Sequence, residues 1–236
     1  MVGCPPQAHN GTEMCGRYSL TSSLSELAQR FEFESEPEGF VPRYNVAPTQ
    51  QVLAVIGGQN RRAGFMRWGL IPSWSKDGPS SRPLINARAE TVAEKPAFRG
   101  SLKKRRCLVL ADGFYEWQKV GDTKRPIRVT MRSGEPFAFA ALWSNWTDPE
   151  GIRIPSCAII TTGASDLLKP IHHRMPVILP QEAEDIWLDT ALDDSDALTQ
   201  LLEPYPDDAM EAFEVSKLVN SASNDVPEVT APVSED

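Results

Sequence analysis

The chain has 236 residues, 41% of them apolar, enough to bury a full core as one large domain. No run approaches the roughly 18 apolar residues of a membrane helix and residues 1–13 lack a signal-peptide core, so the cytoplasm is the expected compartment. The formal charge of −8 is unevenly placed, +7 over residues 1–180 and −15 over residues 181–236, so a basic body leaves phosphate binding open despite the net charge.

Residues 1–13 read as unstructured or as a non-native extension, and one folded domain is expected over residues 14–225. Thr21 and Ser22 can cap a helix whose apolar face is Leu24, Leu27, Ala28 and Phe31. The segment Glu34 to Pro48, with three prolines around a short RYN stretch, reads as a surface loop, and a strand follows at Gln51 to Ile56. A helical pattern interrupted by Pro96 and Gly100 covers Thr91 to Lys104. Strands are expected at Cys107 to Ala111, Ile127 to Met131, Phe137 to Trp143 and Cys157 to Thr162, separated by turn signals. The acidic stretch Gln181 to Leu202 is helical in pattern, and an acidic, proline-containing tail over residues 226–236 reads as disordered. Strands and helices without βα alternation imply an α+β fold with a mostly antiparallel sheet.

Four cysteines, Cys4, Cys15, Cys107 and Cys157, are widely spaced, with only His9, His172 and His173 to assist a metal, so no zinc site is expected. Cys107 and Cys157 lie in apolar runs and read as buried strand residues. Cys15 differs because Met14 before it is a plausible translation start. Translation from Met14 with loss of the initiator would leave Cys15 as an N-terminal residue, with an amine of reference pKa about 7.7 to 8.0 beside a thiol near about 8.5. Such a 1,2-aminothiol condenses with an aldehyde to a Schiff base, which the thiol closes into a thiazolidine. A small buried structural cysteine is the ordinary alternative.

Asn86, Glu116 and His172 or His173 lie in segments that concentrate polar groups beside turns. A carboxylate for proton transfer, an imidazole and an orienting amide are the groups an aldehyde-capturing cysteine needs. Each also has an ordinary explanation, as a turn cap, a solvated strand end or a loop histidine. Arg17, Arg43, Arg67, Arg88, Arg99 and the run Lys103 to Arg106 offer phosphate contacts, and Tyr44, Trp68, Trp74 and Trp117 offer stacking faces.

The ordered segments MCGRYSL, YNVAPTQ, RWGLIPSW, INARAET, ADGFYEW, IHHRMPVIL and VSKLVN, from Met14 to about Asn224, resemble the SRAP family, the SOS-response-associated peptidases. The resemblance implies a curved, barrel-like β-sheet with peripheral helices. It also implies capture of abasic sites in single-stranded DNA by a thiazolidine link to Cys15, with Asn86, Glu116 and His172 as active-site partners. Arg17, Asn45, Trp74, Arg88 and Thr161 are the DNA-channel residues it implies, Trp74 as a wedge beside the lesion. No metal or organic cofactor is implied, a monomer is expected, and no motif names a protein partner. The chain departs from the family pattern in the thirteen residues before Met14, which would block the Cys15 amine if retained. Two competing readings remain at this point: a cysteine peptidase acting on its own N-terminus, and a non-catalytic single-stranded DNA binding module.

Overall fold

A computed structural model describes residues 16–34, 37–58, 60–80 and 82–233. The expectations for residues 1–13, for Cys4, His9, Met14 and Cys15, and for residues 234–236 lie outside the described residues.

Along the chain, β1 (Tyr18–Leu20) leads into α1 (Leu24–Phe31), followed by β2 (Arg43–Val46), β3 (Gln51–Ile56) and β4 (Arg62–Trp68). After a long loop come β5 (Asn86–Arg88), a 3₁₀ turn at Ala89–Thr91, and α2 (Arg99–Lys104). Five strands then run almost without interruption: β6 (Arg106–Ala111), β7 (Gly113–Val120), β8 (Thr123–Met131), β9 (Phe137–Thr147) and β10 (Arg153–Gly163). The remainder holds β11 (Arg174–Pro176), α3 (Gln181–Leu188), α4 (Ser195–Thr199) and β12 (Met210–Glu214), with short 3₁₀ turns at Asp207–Ala209, Lys217–Asn220 and Pro227–Val229.

Five of these strands close on themselves. β4 pairs with β3, β3 with β6, β6 with β9, β9 with β10, and β10 returns to β4. Closure removes the edges that an open sheet would expose. β5 and β11 extend this barrel as short strands on either side of the C-terminal half of β10. The pairings of β10 with β4 and β5 are parallel and all others are antiparallel, as the expected α+β, mostly antiparallel class requires. A second sheet has the order β12-β8-β7-β1-β2.

The two sheets meet through aromatic side chains. The Tyr18 ring lies 5.4 Å from Trp68 and 5.8 Å from Phe139, and Phe114 lies 6.2 Å from Phe139, in tilted or edge-on contacts typical of packed aromatics. Every residue of β6 is buried, so RCLVLA reads as an unbroken run and not as an alternation. The outer face of β6 is covered by α3, whose Trp187 Nε1 donates to the Cys107 carbonyl at 3.1 Å. Cys107 and Cys157 are both fully buried, as their apolar surroundings imply.

Several local expectations are corrected. The cap of α1 is Ser23, which forms a capping box with Glu26, whereas Thr21 and Ser22 serve the Asp112 carboxylate. The presumed loop from Glu34 to Pro48 contains β2, which forms because β1 offers it an antiparallel partner. The helical stretches expected at Thr91 to Lys104 and Gln181 to Leu202 are broken into short pieces. Arg106 explains the second break: its guanidinium donates to the carbonyls of Trp187, Asp189 and Leu192, which replaces continued helical bonding beyond α3. The tail expected to be disordered from residue 226 is tied to the fold by backbone bonds as far as Val233. Pro232 bridges to Val215, the Val233 amide donates to the Glu214 carbonyl at 2.9 Å, and Val229 is fully buried.

Candidate active site

Glu116 sits in the middle of β7, on the strand that a two-residue turn, Gly121-Asp122, folds back onto β8. Gly121 adopts a positive φ of 59°, which this tight connection needs and which glycine supplies without strain. Glu116 is only 3% exposed, so the water-facing alternative for this carboxylate does not hold. His172 lies in the turn leading into β11, placed by its own amide donating to the Leu168 carbonyl at 2.9 Å. Its Nδ1 is 3.9 Å from Glu116 Oε1, within ion-pair reach though longer than a hydrogen bond.

The same Nδ1 lies 3.2 Å from the Arg174 amide and 3.1 Å from the Arg174 carbonyl. Accepting from the amide suits a neutral ring with its proton on Nε2, and donating to the carbonyl suits a ring protonated on Nδ1. The turn is therefore compatible with either tautomer of His172. The neighbouring His173 ring is 4.4 Å away and exposed. Desolvation, then the charges of His172, Arg174 and Arg88, lower the His173 pKa below its ordinary value.

Asn86 begins β5 and pairs with Ile159 of β10. Ile159 and Pro176 line one small internal void with Arg17, Tyr18 and Phe114. This void joins residues of β1, β7, β10 and β11, and Asn86 is tied to it through its pairing with Ile159. The pairing of β1 with β7 continues past Tyr18, because the Tyr115 amide donates to the Arg17 carbonyl at 3.0 Å. It therefore carries the chain at Arg17 toward the residue next to Tyr115, which is Glu116. Cys15, the expected nucleophile, lies outside the described residues.

The five residues expected to line a DNA channel divide. Trp74 is 67% exposed on the loop between β4 and β5, and that loop is fixed by Trp146 Nε1 donating to the Ser75 carbonyl at 2.8 Å and by the Ile71 amide donating to Ser156 Oγ at 2.9 Å. Arg88 is exposed on β5, opposite Thr161. Thr161 and Asn45, by contrast, are fully buried. Thr161 is flanked on both sides by Arg88 and Pro176 in the sheet, and its carbonyl and hydroxyl accept from Arg174 Nη2 at 2.5 and 3.2 Å. Asn45 spends its amide on the carbonyls of Val219, Ser221 and Asn224, and Arg17 is partly buried against it.

Arg174 and Glu90 form an ion pair beside His172 that sequence reasoning did not single out. Arg174 is buried and forms a two-pronged pair with the Glu90 carboxylate, and it thereby fixes the turn that holds His172. Hydrogen bonding from Arg174 lowers the Glu90 pKa below its usual range. Both residues lie inside motifs quoted above, Glu90 in INARAET and Arg174 in IHHRMPVIL, and the signal was a charged residue in each that the proposed chemistry left unused. Among the described residues no helix is long and apolar enough to cross a membrane, and no group of His, Cys, Asp and Glu is arranged to hold a metal.

The arrangement offers a buried carboxylate facing an imidazole, with the exposed His173 ring beside that imidazole. Comparison with known proteins places the chain in a family. Residues 14–222 match the family SOS response associated peptidase (SRAP). The abasic site processing protein YoqW of Bacillus subtilis is 48% identical over 220 residues, 92% of this chain and 98% of that protein. The abasic site processing protein HMCES of Gallus gallus is 36% identical over 264 residues, 93% of this chain and 78% of that protein. A crystal structure of a Bacteroides thetaiotaomicron protein, 27% identical, superposes with a TM-score of 0.83 over 93% of this chain and 100% of that one. A second, from Bordetella bronchiseptica and 28% identical, gives 0.76 over 86% of this chain and 100% of that one. This chain belongs to the SRAP family.

Proposed function

We propose that this protein processes abasic sites in single-stranded DNA by forming a covalent thiazolidine between Cys15 and the ring-opened deoxyribose. The observation that carries this reading is the buried Glu116 carboxylate facing His172 at 3.9 Å, at the point toward which the β1–β7 pairing leads the chain. Family membership and the names of its relatives, abasic site processing proteins, support the substrate. Cys15 is joined to Arg17 by Gly16 alone.

The reaction needs a free α-amine at Cys15, so the working form begins there, by translation from Met14 and loss of that Met or by removal of residues 1–14. Glu116 moves the proton that opens the sugar hemiacetal and exposes the C1′ aldehyde. The Cys15 amine adds to C1′ and one water leaves, giving a Schiff base; the thiol then adds across the C=N bond, and its proton ends on nitrogen. His172 stabilises the freed sugar oxygen and relays protons, while Asn86 orients the N-terminal residue. Trp74 stacks beside the lesion, and Arg88 takes a neighbouring phosphate.

A denaturing gel tests this reading. Protein beginning at Cys15, mixed with a single-stranded oligonucleotide bearing one abasic site, should give a heat-stable shifted band. Cys15→Ala and the chain retaining Met1 to Met14 should not. If no form gives a band, the capture reading is lost and thiol-dependent hydrolysis by Cys15 with His172 or Glu116 becomes the better account.

A further inference from the structure

Arg17 and Asn45 belong to a hydrogen-bonded unit built on the last part of the chain. β2 is the outer strand of its sheet, so its outward amides have no neighbouring strand to bond. Asp225 takes that place: Oδ1 accepts from the amides of Tyr44 and Asn45 at 2.6 and 2.9 Å, and Oδ2 accepts from Arg43 Nε. The Asn45 side chain then ties three carbonyls of the same segment, with Nδ2 at 3.2 Å from Val219, 3.0 Å from Ser221 and 2.8 Å from Asn224. Its Oδ1 accepts from Arg17 Nη1 at 2.8 Å, and the same nitrogen donates to the Val219 carbonyl at 2.7 Å.

On the other side, Trp117 Nε1 donates to Asn220 Oδ1 at 2.7 Å, and the Arg17 guanidinium lies 5.6 Å from the centre of the Trp117 ring. Arg17 is therefore held from β2, from β7 and from the C-terminal segment at once. It is also the residue whose carbonyl bonds to Tyr115, next to Glu116, and it lies two positions after Cys15.

We infer that residues 215–225 form a positioning strap for the N-terminal nucleophile, with Asp225 as the positioning residue that acts through Asn45 and Arg17. The functional consequence rests on the proposed capture reaction; the structural coupling does not. A buried amide with its bonding capacity filled is rigid, and a displacement of about 1 Å at a reacting group costs on the order of 100-fold in rate. The strap sets where the nucleophile stands and leaves DNA affinity to the exposed residues.

Single-turnover cross-linking and amide hydrogen exchange together test this, using protein that begins at Cys15. Asp225→Ala should lower the maximal rate of adduct formation about tenfold or more, with the half-saturating oligonucleotide concentration unchanged. Asp225→Asn, which keeps an acceptor for the two amides, should recover most of the rate. Exchange at the Tyr115 amide should quicken in Asp225→Ala while barrel amides such as Val109 stay protected. If Asp225→Ala does not fold, Asn220→Ala, at an exposed site, carries the same test with a smaller loss of rate. An unchanged rate and unchanged Tyr115 exchange would overturn the inference, and so would a raised half-saturation at constant rate. Should the unmutated protein form no adduct, the reaction reading fails, and Tyr115 exchange alone decides whether the strap positions the chain.

Discussion

Glu116 and His172 come from different parts of the fold, a strand of the second sheet and a turn beside the barrel, yet Oε1 of one lies 3.9 Å from Nδ1 of the other. If this pair moves the protons of aldehyde capture, replacing either residue should slow adduct formation and leave the fold intact. Glu116→Gln keeps the shape and removes the basicity, and the rate should fall about 100-fold, a typical share for a positioned acid or base. His172→Ala should act in the same direction. The double variant should lose less than the product of the two, because they work as one unit. Stopped-time gels at saturating oligonucleotide measure each rate, and full additivity would argue that the residues act separately.

Arg106 holds the ends of two helices. Nη1 donates to the carbonyls of Leu102 and Lys103 at 2.6 and 2.8 Å, at the end of α2, while Nε and Nη2 take those of Trp187, Asp189 and Leu192 beyond α3. Arg106→Met keeps the apolar stem but leaves these buried carbonyls without donors, and should cost at least about 3 kcal/mol. Arg106→Lys should not restore it, because an ammonium cannot reproduce the planar fork. Denaturant unfolding measures both, and a loss below about 1 kcal/mol would contradict the capping role.

How much of this was legible in the sequence depended on whether a residue's partner was near in the chain. The strand Gln51–Ile56 has the bounds its apolar run implied, and β6 lies within one residue of them, since an unbroken run between turn signals is a local property. β2, β5 and β11 are three or four residues long, and only pairing with β1 or β10 makes them strands. The chemical groups Glu116 and His172 were visible as residue types, but their proximity depends on sheet topology. Asn45 entered only through the family resemblance, and its bonds to the carbonyls of Val219, Ser221 and Asn224 join parts of the chain too far apart for any local pattern to show.

The Glu90–Arg174 pair gives a pH signature. Hydrogen bonding from Arg174 lowers the Glu90 pKa in the folded state, so the pair contributes stability above the unfolded value of about 4.3 and loses it as the pH falls through the folded value. The melting temperature of Glu90→Gln should therefore lie below that of the unmutated protein at neutral pH, and the gap should narrow below about pH 4. A gap that stays constant across this range would show that the carboxylate charge is not what Arg174 uses.

Trp74, 67% exposed on its anchored loop, has little to contribute to stability. Trp74→Ala should shift unfolding free energy by no more than about 0.5 kcal/mol. Affinity for single-stranded oligonucleotide should fall by about 1 to 3 kcal/mol, the range for loss of one base-stacking face. Fluorescence anisotropy at fixed salt reads the second quantity, and unchanged affinity would remove Trp74 from the DNA surface.

The central claim, that Cys15 captures the abasic aldehyde, is tested most directly by intact mass spectrometry of the product formed without any reducing agent. Protein beginning at Cys15 should yield a species whose mass is that of protein plus oligonucleotide less one water, stable to denaturation and absent for Cys15→Ala. The same adduct in Cys15→Ala, or one seen only after borohydride reduction, would contradict thiazolidine formation and leave at most a transient Schiff base.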